Sequence, residues 1–113
     1  MKLKDVIKEI EDEQVVISWL RDLNGHSRSS YLGALAEFCK INKVAPNEML
    51  NIILFKEEEE RLPAWQRSVN KWFEAYDEHC REQERTKNTR NTRRTIVNGF
   101  RGFHGLPQYS QEE

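Results

Sequence analysis

Cysteine, proline and glycine are all scarce in this chain, with two, three and five residues among 113. Two cysteines, Cys39 and Cys80, are too few for a disulfide framework, so reduced thiols in a cytoplasmic protein are the expectation. No glycine- or serine-rich linker divides the chain. No apolar run approaches the roughly 18–20 residues of a membrane span, which excludes a helical integral membrane protein. The opening Met1-Lys2-Leu3-Lys4-Asp5 also lacks the apolar core of a signal peptide. An excess of either charge is missing too: 18 Lys+Arg stand against 19 Asp+Glu, a formal net charge of −1. A uniformly basic nucleic-acid coat is thereby excluded. The local distribution is uneven, however. Residues 1–80 carry 11 basic and 15 acidic side chains, whereas residues 81–113 carry seven basic and four acidic. Between Arg85 and Arg101 there are six cations, Arg85, Lys87, Arg90, Arg93, Arg94 and Arg101, and no acidic residue. A local basic segment on a near-neutral protein is the footprint of a site for one anionic partner.

What the chain does have is helical periodicity nearly throughout. Val6, Ile7 and Ile10, then Val16, Trp19, Leu20 and Leu23, recur at helical spacing and are stopped by Asn24-Gly25. Ser27 is placed to cap a next helix with Tyr31, Leu35 and Phe38 on its apolar stripe. Pro46 suits the first turn of a short helix carrying Met49, Leu50, Ile53 and Leu54. Glu57 to Glu60, four carboxylates in a row, belong in water. A helix starting near Pro63 carries the bulky stripe Trp65, Val69, Trp72, Phe73, Tyr76 and Cys80, and a polar break follows at Arg85–Asn88. The last helix is expected from Thr89 to His104, with Ile96, Val97, Phe100 and Phe103 inward, ended by Gly105 and Pro107. The chain therefore reads as one all-α domain over residues 1–107, a bundle of four to five helices. Residues 108–113 read as a frayed tail or the start of a linker.

An internal repeat organises the bundle. Ser27-x-x-Ser30-x-x-x-x-Leu35-x-x-Phe38 is matched, 62 positions later, by Thr89-x-x-Thr92-x-x-x-x-Val97-x-x-Phe100. Each copy opens with hydroxyl residues around an arginine, Arg28 or Arg90, and follows another amphipathic helix. Two helical hairpins packed on each other are the simplest reading.

This pattern resembles the N-terminal core-binding domain of tyrosine recombinases, the phage-integrase family, particularly its archaeal integrase-like members, whose domain is a SAM-like helical bundle. The residues that carry the resemblance are Ile17-Ser18-Trp19-Leu20, His26 to Leu32 leading to Leu35-Ala36-Glu37-Phe38, Thr89 to Val97, and Phe100-Arg101-Gly102-Phe103-His104-Gly105-Leu106-Pro107. It covers residues 14–107. The resemblance implies a domain that clamps one face of double-stranded DNA beside neighbouring recombinase subunits. A separate C-terminal domain would supply the catalytic arginines, histidine and tyrosine. No His-x-x-Arg occurs here: His26, His79 and His104 are followed three residues on by Ser29, Glu82 and Pro107, and Tyr109 lies in a polar tail. The chain is thus expected to be non-catalytic by itself, part of a DNA integration and recombination machine.

At about 100° per residue, Arg90, Arg94 and Arg101 share an arc of roughly 40°, with Asn91 and Asn98 beside it. The apolar residues occupy another sector. Arg93 falls among them, early enough in the helix to emerge where the core ends. Arginine and asparagine read base edges, and hydroxyls and lysines bind phosphates. The candidate DNA-binding residues are His26, Ser27, Arg28, Ser29, Lys87, Asn88, Arg90, Asn91, Arg93, Arg94 and Arg101. The aromatic stripe of Trp65, Trp72 and Phe73 reads as core rather than as a base-stacking platform. Cys39, His79, Cys80 and His104 lack zinc-finger spacing, so no metal and no cofactor is expected. The competing reading is a non-catalytic helical protein–protein interaction or regulatory domain without a DNA role.

Overall fold

The computed structural model describes residues 2–50, 61 and 68–105. Ile53 and Leu54, Glu57–Glu60, Pro63, Trp65, the Val69 side chain, Leu106, Pro107 and Tyr109 lie outside the described residues, as do the predicted helix start at Pro63 and the tail. Among the described residues there are six helices and no strand: α1 (Leu3–Ile10), α2 (Gln14–Leu20), α3 (Gly25–Asn42), α4 (Pro46–Leu50), α5 (Ser68–Glu82) and α6 (Lys87–Phe103). The all-α bundle expected from periodicity is what the chain forms. None of these helices is long and apolar enough to cross a membrane.

The leading apolar stretch is two helices, not one. On a single continuous helix, Val6 and Ile10 would face about 90° away from Val16, Trp19 and Leu20. A break at residues 11–13 lets both sets enter one core, where all five are buried. α3 is the central element, packing against α1, α2, α5 and α6. Its middle is buried all round, from Ala34 to Cys39. Phe38 sits at the junction with α5, its ring 4.9 Å from Phe73 and 5.4 Å from Tyr76. Trp19 joins the two halves, stacked on Tyr31 at 5.6 Å and edge-on to Phe100 at 5.2 Å. Cys39 and Cys80 are buried free thiols.

The repeat extends beyond the motif into the elements themselves. α2 ends at Leu20 and α5 at Glu82, α3 begins at Gly25 and α6 at Lys87, so both joints are four residues long and 62 positions apart. Leu35 and Val97, like Phe38 and Phe100, are fully buried. Both helices start earlier than their hydroxyl motifs suggested. The caps are Asn24, whose Oδ1 accepts from the Ser27 N–H at 2.9 Å, and Thr86, whose Oγ1 accepts from the Thr89 N–H at 3.2 Å. Ser27 and Thr89 are the third residues of their helices and contribute the capped amides.

Two assignments on α6 are corrected, one inward and one outward. Phe103 is 57% exposed, because the core ends one turn before it; its ring packs edge-on against His104 instead. His104 turns back to α2, with Nε2 donating to the Val15 carbonyl at 2.8 Å. Arg101, expected on an exposed arc, is 1% exposed, with its guanidinium 5.9 Å from the centre of the Trp72 ring. The arc is half-open at Arg90 and Arg94 and closed at Arg101, where Trp72 of α5 covers it.

Candidate nucleic-acid interface

The N-terminal halves of α3 and α6 lie side by side and enclose a groove of about 310 Å³ lined by Ser30 and Ala34 of α3 and by Asn88, Thr89, Thr92, Arg93 and Ile96 of α6. Ser30 and Thr92 are equivalent hydroxyls of the repeat, so the two copies face each other across this groove. The Thr92 hydroxyl donates to the Asn88 carbonyl at 2.9 Å, which keeps it against its own helix. α6 carries five cations and no carboxylate along its whole length, and residues 25–36 of α3 carry none either.

Of the expected contact residues, Asn88 and Arg93 line this groove. Lys87, Asn88 and Asn91 are exposed, and Arg93 and Arg94 half-buried, on the α6 side. Arg94 donates to the Asn91 amide oxygen. On α3, Arg28 and Ser29 turn the other way, into a separate groove against α2 with Glu11, Ile17, Leu20 and Arg21. His26 is exposed and Ser27 half-buried, outside both grooves.

The two repeat arginines do a structural job that the sequence did not announce. Arg28 donates from Nε to the Leu20 carbonyl at 3.2 Å and from Nη2 to the Arg21 carbonyl at 3.1 Å. Arg90 donates from Nη1 to the Arg85 carbonyl at 2.9 Å, with Nε 3.5 Å from Asp77. Arg28 thus satisfies carbonyls where α2 ends, the place where carbonyls lack partners and the helix dipole is negative, while Arg90 ties down the joint itself.

Glu37 is the residue missed in the sequence. Its carboxylate is buried among α3, α5 and α6 and gathers donors from both later helices. Arg85 binds it with both terminal nitrogens, at 2.5 and 2.9 Å. The Tyr76 hydroxyl donates to Oε1 at 3.0 Å and Arg93 Nη1 donates to the same oxygen at 3.2 Å. His79 Nε2 lies 3.6 Å from Oε2. Burial alone would raise the carboxyl pKa; the hydrogen bonds from Arg85 and Tyr76, with the charges of Arg85 and Arg93, overcome it and hold the carboxyl down at about 2. Burial pushes the Tyr76 hydroxyl well up, keeping it a donor. The hydrogen bonds to Glu37 raise Arg85 further above its already high range. The signal available in the sequence was position: Glu37 stands between Ala36 and Phe38 in the one stretch of α3 that a central helix must bury.

Elsewhere, burial first and then the neighbouring Glu13 and Glu48 push the Cys39 thiol far up, so it is not poised as a nucleophile. No group of three or more metal-ligating side chains occurs among the described residues. Comparison with protein-family models, curated proteins and solved structures finds no match.

Proposed function

We propose that this chain is a DNA-binding module of the tyrosine-recombinase type, engaging one face of a duplex with the first turns of α3 and α6. The observation that carries the reading is the groove between the N-terminal halves of those helices, where Arg93, Asn88 and three hydroxyls meet and α6 brings five cations and no carboxylate. Such a surface favours the phosphate backbone, and hydroxyls and amides at helix starts are the groups that fix a protein's register on it. The contact set narrows to Lys87, Asn88, Asn91, Arg93 and Arg94, with Ser30 and Thr92 in the groove. Arg28, Arg90 and Arg101 belong mainly to the architecture. In this reading the chain cuts no DNA by itself; strand cleavage belongs to a separate catalytic domain, and neighbouring subunits share the duplex.

The test is binding of a fluorescent 20-base-pair duplex, followed by anisotropy at several salt concentrations. Three phosphate contacts, from Lys87, Arg93 and Arg94, give a log–log salt slope of about −3, or a loss of roughly 40-fold between about 50 and 200 mM salt. Lys87→Ala and Arg94→Ala are each expected to reduce the slope by about 0.9 without changing the circular dichroism spectrum. Binding that is absent, or indifferent to salt, overturns the reading.

A protein-interaction module is the second reading. It is favoured by the exposure of Ile17 (42%) and Phe103 (57%), large apolar side chains left on the surface of a small bundle.

A further inference from the structure

The Glu37 cluster is unbalanced. Two guanidinium groups, Arg85 and Arg93, share a single carboxylate, which is the only one among the described residues within ion-pair distance of either. One positive charge is left over, and burial decides where it is available. The Glu37 side chain is 10% exposed and Arg85 20%, whereas Arg93 is 31% exposed and lines the groove between α3 and α6. The excess charge therefore opens onto the groove through Arg93.

Arg93 is also held. Its Nη1 donates to Glu37 Oε1 at 3.2 Å and lies 3.4 Å from the Tyr76 oxygen, which itself donates to the same carboxylate oxygen. Two acceptors from two other helices thus fix one corner of a planar group that has five donors. A free arginine loses rotamer freedom when it grips a phosphate; one already pinned at a corner has lost most of that freedom on folding.

We propose that Glu37, with Tyr76, is a positioning residue for anion recognition. It holds Arg93 so that the remaining guanidinium N–H groups meet one backbone phosphate seated in the groove beside Ser30, Asn88 and Thr92. This rests on the DNA-binding reading above and names the subsite within it. Arg85 completes the neutralisation of the carboxylate, leaving Arg93 with charge to spare.

The sign of one substitution tests it. Glu37→Gln removes a negative charge near the duplex, so a purely electrostatic or structural role predicts binding that is tighter or unchanged. Positioning predicts the reverse: binding of the labelled duplex weakens roughly 3- to 10-fold, with a smaller salt slope. Tyr76→Phe, which leaves the ring and the Glu37 charge in place, is expected to weaken binding in the same direction. In an Arg93→Ala background, Glu37→Gln is expected to have no further effect. All variants are measured well below their melting temperatures; should Glu37→Gln fail to fold, Tyr76→Phe with and without Arg93→Ala closes the same cycle. Equal or tighter binding by a folded Glu37→Gln chain, or an undiminished effect when Arg93 is already alanine, overturns the positioning role and leaves DNA binding standing. Absence of salt-dependent binding by the unmodified chain removes both.

Discussion

Glu37 shows how one side chain can tie a helical bundle together. Its carboxylate receives hydrogen bonds from Tyr76 on α5, from Arg85 in the joint and from Arg93 on α6. The stability it contributes depends on pH in a definite direction. Its folded pKa, about 2, lies below the ordinary value of 4.5. The contribution is therefore complete above about pH 4.5 and disappears as the pH falls towards 2, because the unfolded chain takes up a proton that the folded chain refuses. Urea denaturation across that range is expected to show a loss on the order of 3 kcal/mol that is largely absent in Glu37→Gln. A Glu37→Gln chain with the same acid profile as the unmodified one contradicts this. The cluster was illegible in the sequence because its members stand at 37, 76, 85 and 93, at no recognisable spacing. Only the packing of α3 against two later helices brings Tyr76, Arg85 and Arg93 within 3.2 Å of the Glu37 carboxylate. The basic stretch that contains Arg85 and Arg93 was plain; that an interior carboxylate occupies both was not.

At the scale of elements, the joints decide where helices begin. In both hairpins a four-residue connection ends in a cap, Asn24 or Thr86, and an arginine from the following helix reaches back, Arg28 to the carbonyls that end α2 and Arg90 to the Arg85 carbonyl within the joint. Asn24→Ala and Thr86→Ala are expected to cost about 1 kcal/mol each in chemical denaturation. Ser27→Ala and Thr89→Ala, three residues on, are expected to stay within about 0.5 kcal/mol, since these residues offer main-chain amides that alanine also has. The opposite order would restore the hydroxyl motifs as caps. The motif was visible in the sequence, but its phase on the helix was not. A Ser or Thr can cap with its oxygen or follow a cap with its amide, and only the backbone angles distinguish the two. Glu84 and Lys43, which end α5 and α3 in left-handed conformations at φ of 58° and 52°, are a related case. Neither is the glycine or asparagine that usually marks such a stop.

For the whole molecule, α3 is the axis and the two hairpins are arranged about it. Phe38 and Phe100, at equivalent places in the repeat, anchor the two halves: one against Phe73 and Tyr76, the other against Trp19 and His104. Phe38→Ala and Phe100→Ala are each expected to cost about 3–5 kcal/mol, a large part of the stability of a bundle this size. Phe103→Ala is expected to change it by about 0.5 kcal/mol or less, although the three aromatics look alike in the sequence. Melting curves and urea midpoints of the three variants distinguish a buried anchor from an exposed ring. A loss for Phe103 comparable with that for Phe100 would place the last turn of α6 in the core after all.

The sequence by itself determined that this chain is helical, roughly where its helices lie, that it is built as a doubled hairpin, and that its cations gather near the end. Those properties are local or periodic: apolar spacing, turn residues and charge counts are set residue by residue along the chain. The tertiary structure alone decided which arginines remain available. Arg90, Arg94 and Arg101 share one arc of α6, yet Arg101 is buried against Trp72 of α5 and Arg90 is paired with Asp77 of α5, while Arg94 is half-open. Arg93, which periodicity placed among the apolar residues, reaches the groove because α3 supplies a carboxylate beside it. A helical wheel gives each side chain a direction; what stands in that direction depends on elements distant in sequence.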